Sequence, residues 1–243
     1  MGLLDMLKRG SPIERAHKDL REPYAQPEVR RAAMGKLLEM ASDEAYTTLL
    51  VRFTFNCHGH IADESEKRDL VDELVKVGRP ALGPLRKFIE KEKAVQFPIR
   101  AISRICEKAE TLKIVVDALT KIEPGDHRTT EQKRGLIDAV GELGSTEEAK
   151  AVVPYLRDHN DDVQAHAIDA LERLKSPDSY EALASVCASE DHSARIQRRA
   201  AQAVETLGAT VAKELFDKFP SELKSEYNLD KKGVLLKKTR ASA

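Results

Sequence analysis

Asp162-Val163-Gln164-Ala165-His166-Ala167-Ile168-Asp169-Ala170-Leu171-Glu172-Arg173-Leu174-Lys175-Ser176-Pro177 decides the fold. Its apolar residues Val163, Ala167, Ala170, Leu171 and Leu174 recur at three and four, the spacing of one helix face. Ser176 followed by Pro177 then reads as a cap with proline at the first helical position. The chain repeats this stretch. Residues 27–50 lie on 161–184 without a gap: Val29 meets Val163, Ala33 meets Ala167, Leu37 meets Leu171, Ser42 meets Ser176, Tyr46 meets Tyr180 and Leu49 meets Leu183. Gln164, Ala167, Ala170, Glu172 and Leu174 fall on Gln197, Ala200, Ala203, Glu205 and Leu207; Ile137, Asp138, Ala139, Leu143 and Ser145 fall on Ile168, Asp169, Ala170, Leu174 and Ser176. The helix ends Val77-Gly78, Leu143-Gly144 and Leu207-Gly208 recur with the glycine in place.

Helix punctuation is regular elsewhere. Ser11-Pro12-Ile13-Glu14 and Ser145-Thr146-Glu147-Glu148 are capping boxes, and Asp63 with Glu66 has the same spacing. No two-residue alternation and no Asn-Gly hairpin signal is legible. The fold class expected is therefore all-α, with helices near 12–22, 27–41, 43–54, 63–77, 80–92, 97–109, 111–122, 129–143, 146–157, 161–175, 177–188, 193–207 and 209–218.

The segment Asp162-Val163-Gln164-x-x-Ala167-x-x-Ala170-Leu171-x-x-Leu174, with a short turn and a second helix ending near Leu183, resembles the HEAT repeat family in its bacterial HEAT-like form. Val77-Gly78-Arg79-Pro80-Ala81-Leu82 has the same look. The resemblance spans roughly residues 27–218. It is strong at 129–208 and diffuse at 80–125, where Gln96-Phe97-Pro98-Ile99-Arg100 replaces the expected start of a repeat. It implies one curved α-solenoid of five to six stacked helix pairs over 27–218, with residues 1–26 as an N-terminal cap and 219–243 as a C-terminal cap and basic tail. The physics agrees: one helix pair cannot bury its apolar face alone, whereas a stack buries a continuous core. Phe216, Phe219, Leu223 and Tyr227 are expected to close the C-terminal end. Lys231 to Arg240 reads as a solvated tail, with an anionic contact as the sharper alternative.

Composition narrows function. The 243 residues carry 40 basic and 41 acidic side chains, 5% aromatics and no Trp. That balance argues against nucleic acid along the whole surface. Every apolar run is too short to cross a bilayer, so no membrane partner is expected. Three cysteines, Cys57, Cys106 and Cys187, are odd in number and far apart, which fits a reducing, cytoplasmic setting better than a disulfide scaffold. Met1 to Gly10, with Leu3, Leu4, Met6 and Leu7, reads as an amphipathic turn, being too interrupted for a signal core.

Chemistry-bearing clusters are few. Cys57-His58-Gly59-His60 beside Asp63 and Glu64 has zinc-ligand types but no second ligand pair, so it reads as the loop joining the two helices of one repeat, and no metal is expected. Some HEAT-like proteins are di-iron hydroxylases using His-Glu pairs. No histidine here is followed by glutamate. Others are alkyl-DNA glycosylases, which need a basic groove with aromatic side chains, or bilin lyases acting on a partner-bound cofactor. These two stay as the enzyme alternative. No phosphate-cradling loop, dinucleotide fingerprint or nucleophile elbow is present, and no cofactor is expected.

The reading is a non-catalytic scaffold or adaptor that holds another protein on a concave face. By the resemblance, the helix beginning at the Val-Arg position lines that face. Its outward positions are then Arg30, Lys36, Lys133, Asp138, Gln164, His166, Asp169, Arg173, Gln197 and Arg199, whose mixed signs suit a charged protein partner.

Overall fold

The computed structural model describes residues 11–238. The chain divides into two compact units, 1–114 and 115–243. In the first, α1 (Pro12–Arg21) is followed by α2 (Pro27–Met40), α3 (Asp43–Leu50), α4 (His60–Val77), α5 (Leu82–Lys91) and α6 (Gln96–Ile105). The division falls within α7 (Lys108–Leu119). The second unit holds α8 (Thr130–Leu143), a short α9 (Ala149–Val152), α10 (Asp161–Leu174), α11 (Tyr180–Ala188), α12 (Ala194–Thr206), α13 (Lys213–Phe216) and α14 (Ser221–Glu226). The class is all-α, and each unit has two layers of helices. In the first unit α4 packs on α6 while α3 packs on α5; in the second α10 sits between α8 and α12. Among the described residues no helix is long and apolar enough to cross a membrane.

The helix ends follow the local chemistry read from the sequence. Ser11 Oγ accepts from the Glu14 backbone N–H at 3.1 Å, and the Glu14 carboxylate accepts from the Ser11 N–H, which closes a capping box. The Glu148 carboxylate accepts from both the N–H and the hydroxyl of Ser145. Several predicted helices begin or end in a tighter turn. The expected 146–157 helix is two 3₁₀ segments around α9, with Pro154 within the second. The expected 209–218 helix shrinks to α13, because Thr210 bridges Val234 and Val211 donates to the Gly233 carbonyl.

Two expectations are corrected. Asp63 does not cap a helix. α4 starts three residues earlier, behind Gly59 at φ +90°, so Asp63 lies inside it and is buried. The loop that carries Cys57 therefore joins successive helix pairs rather than the two helices of one. The basic tail is not frayed over its described length. Tyr227–Leu229 (β1) pairs antiparallel with Leu235–Lys237 (β2). Asp230 Oδ1 accepts from the N–H groups of Lys232 and Val234, and Gly233 takes φ +82°, which closes the turn. Phe219, Leu223 and Tyr227 are buried, and Phe216 is half-buried. Met1–Gly10, Thr239 and Arg240 lie outside the described residues.

Small residues set the closest helix approach in the second unit. A Cβ on Gly141 would stand 2.9 Å from both Cα and Cβ of Ala170. The obstacle is partly backbone and cannot swing away, so Gly141 fixes how near α8 and α10 lie. Gly35 in α2 has nothing within 4 Å of such a Cβ. Gly141→Ala is expected to cost about 1–3 kcal/mol through overpacking. Gly35→Ala is expected to gain up to about 1 kcal/mol through helix propensity. Urea midpoints of the two variants, moving in opposite directions, check this.

Candidate partner-binding face

The ten positions expected to point outward separate into two groups. Arg30, Lys133, Gln164 and Gln197 do not face solvent: their exposures are 4%, 0%, 5% and 7%. Each is the fourth residue of its helix, in α2, α8, α10 and α12. Each turns back and donates to a carbonyl of the loop before that helix. Arg30 Nη1 reaches Ala25 O at 2.6 Å, Lys133 Nζ reaches Pro124 O at 2.6 Å, Gln164 Nε2 reaches Asp158 O at 2.5 Å and Gln197 Nε2 reaches Ser189 O at 2.8 Å. Helical side chains lean toward the N-terminus, so a long polar residue one turn in covers the entering loop. Asp63, fourth in α4, does the same with reversed polarity, accepting from the Cys57 N–H at 2.8 Å. The equivalent of α6 is the apolar Ile99, buried in the segment where the repeat pattern weakens.

Charged members of this series need buried partners. Lys133 pairs with Asp158, itself buried. In the first unit Arg30 holds Glu66 through Nε at 2.9 Å and Nη2 at 3.0 Å; Arg52, fully buried, bridges Glu66 and Asp63; Lys67 meets Asp63 at 2.8 Å and Asn56 Oδ1 at 2.7 Å. Burial pushes the Asp63 carboxyl up, but Lys67, the Cys57 N–H and Arg52 outweigh it and hold it down at about 2. Glu66 is likewise lowered: burial opposes, and Arg30 and Arg52 prevail. Burial pushes the Cys57 thiol up, against the pull of Arg52 and Arg30. Among the described residues no group of three or more His, Cys, Asp or Glu is arranged to hold a metal ion.

The remaining positions stay accessible. Lys36 is exposed on α2 of the first unit. Asp138, His166, Asp169, Arg173 and Arg199 come together on α8, α10 and α12. Two rungs repeat, each joining the sixth residue of one helix to the ninth of the helix before. His166 Nδ1 lies 2.7 Å from Asp138 Oδ1, and Arg199 Nε donates to Asp169 Oδ1 at 2.7 Å. Arg134 Nε donates to His166 Nε2 at 3.1 Å, which makes Nδ1 the nitrogen that donates to Asp138. Arg199 also pairs with Glu172. Burial pulls the Arg199 guanidinium down, but Glu172 and Asp169 outweigh it and raise it overall. Sequence reasoning missed Arg134 and Glu172; only Glu172 carried a signal, its sign opposite to that of Arg199, 27 residues on.

A pocket of about 590 Å³ opens at one end of this face, bounded by Asp169, Glu172, Arg173, Lys175, Tyr180, Arg199, Thr206 and Leu207. A second cavity of about 1160 Å³ lies on the other layer of the unit, between Val153–Arg157 and α11, with His159 and His192 at its rim. Burial, then Arg157, lowers the His192 pKa against Asp191 and Asp161. His192 Nδ1 is engaged by Gln164 Oε1 at 3.0 Å.

Residues 125–205 match the family model described as HEAT repeats. A solved engineered protein aligns at 17% identity with a TM-score of 0.39, over 85% of this chain and 60% of its own, so the chain spans about 60% of that protein's length. No curated protein matched the chain.

Two expected outcomes follow from the split between buried and accessible positions. Lys133→Met leaves Asp158 buried and unpaired and should cost about 3–5 kcal/mol, whereas Arg173→Glu, on an accessible side chain, should stay within about 0.5 kcal/mol. Thermal unfolding followed by circular dichroism distinguishes them. The second concerns acid. Asp63 and Glu66 are depressed in the folded state, so their contribution is complete above the ordinary carboxylate range of about 4 and is lost as pH falls toward about 2. Urea midpoints measured from pH 7 to pH 2.5 should fall more steeply for wild type than for Asp63→Asn, which has already lost that contribution at every pH.

Proposed function

From a chain whose residues 125–205 are HEAT repeats, we propose a non-catalytic scaffold that holds another protein along the α8–α10–α12 face. One observation carries the reading: on that face the charged side chains are paired across helices in repeated rungs, Asp138 with His166 and Asp169 with Arg199. Their orientation is thus set before a partner arrives, which lowers the entropy lost on binding. Accessible charges of both signs on a preformed surface give register and steering more than raw affinity. The three cysteines are free thiols, which supports a reducing, cytoplasmic setting. Lys36, on the equivalent helix of the first unit, belongs to the same reading.

Substitutions at the buried fourth positions report on folding rather than on binding. The immobilised chain is expected to retain a specific protein from nuclease-treated native lysate. The triple variant Asp138→Lys, Asp169→Lys, Arg173→Glu, shown to be folded by its circular dichroism, should release it. Retention of the same set by both forms would overturn the face assignment.

A further inference from the structure

The pocket at the end of this face has a charge pattern that selects its occupant. Arg199 is committed to Asp169 and Glu172, and together the three leave one net negative charge. Against it stand Arg173 and Lys175, two cations whose side chains have no hydrogen-bond or ion-pair partner among the described residues. The pocket is therefore net positive, and its free donors are the unpaired ones. Arg199 adds a third feature: its Nη1 is buried and has no acceptor, one of two such side-chain atoms among the described residues.

The backbone supplies an independent observation. Lys175 caps α10 in the left-handed region at φ +53°. Such a cap favours glycine, and a residue with a Cβ is destabilised there. Ala41 occupies the equivalent place after α2 at φ +47°. A lysine is thus not demanded by the turn. The strained position holds an ammonium where a smaller residue serves the same turn elsewhere in the chain.

We propose that this pocket is the subsite of the binding face that takes an acidic side chain of the bound protein, its carboxylate lodged between Arg173 and Lys175. The proposal rests on the scaffold reading and gives the partner its chemistry: a segment rich in Asp and Glu. A carboxylate fits better than a phosphate. Asp169 and Glu172 share the wall, and α10 and α12 both end beside it with the negative end of the helix dipole. A phosphate dianion meets more repulsion there than the single negative charge of a carboxylate.

The test titrates the full chain with an acetylated hexapeptide, Leu-Glu-Asp-Glu-Leu-Glu, and separately with inorganic phosphate and a single-stranded oligonucleotide, followed by amide NMR shifts. The peptide should perturb residues 172–175 and 206–207, weaken with added salt, and bind roughly tenfold more weakly to Arg173→Glu. Lys175→Gly should raise the thermal midpoint while weakening the peptide. Ala41→Gly should also raise the midpoint and leave the peptide unaffected. Unchanged affinity in Arg173→Glu and Lys175→Gly overturns the subsite, as does tighter binding of phosphate or oligonucleotide in this pocket. Absence of peptide binding while the chain still captures its protein overturns the subsite and leaves the scaffold standing; absence of both overturns both.

Discussion

In α2, α4, α8, α10 and α12 the fourth residue closes the loop that precedes the helix, and the stacking of helix pairs depends on that contact. A chain of short helices joined by tight turns leaves many backbone carbonyls without helical partners. Water would satisfy them on the surface, but here the loops lie against the next helix. Arg30, Lys133, Gln164 and Gln197 each supply a buried donor at that point, and Asp63 supplies the complementary acceptor to an N–H. Where the anchor is charged, the charge is carried inward and must be met, hence Glu66 and Asp63 in the first unit and Asp158 in the second. The two glutamines achieve the same closure without a counter-ion.

This division decides what is left for recognition. Once the fourth position is committed to the loop, the sixth and ninth positions become the accessible polar sites, and they pair across helices instead of along one. His166 with Asp138 and Arg199 with Asp169 are two copies of one geometry with different side chains. A surface made this way presents organised charges of both signs, in keeping with a mixed and nearly neutral composition. On the proposed reading, specificity comes from the cations left without partners among the described residues, Arg173 and Lys175.

The helices, most of their caps, the repeat and the buried Ala and Leu positions were legible in the sequence, because helical periodicity and capping are local properties. The failures are instructive. Periodicity sorts residues by face, and Gln164 or Lys133 read as polar positions on the open side of the wheel. What buries them is the preceding loop, whose path no helical wheel contains. Asp63 reads as a cap because Glu66 stands three residues after it, yet the helix begins at His60. The hairpin at 227–237 had a signal in Asp230 and Gly233, three residues apart, but its strands are three residues each and too short to show alternation. Six of the ten expected positions, Lys36, Asp138, His166, Asp169, Arg173 and Arg199, remain accessible. The other four, Arg30, Lys133, Gln164 and Gln197, are polar for a structural reason.

The contact between Gly141 and Ala170 has a mechanical meaning. Backbone lies close to backbone there, with no side-chain rotamers to rearrange, so the seam between α8 and α10 has little room to close further. The neighbouring seam between α10 and α12 is bridged through side chains, Arg199 holding Asp169 and Glu172. Elastic compliance within the second unit is therefore unequally shared. A load pressing its helices together would be met stiffly at the first seam and taken up at the second, beside the pocket.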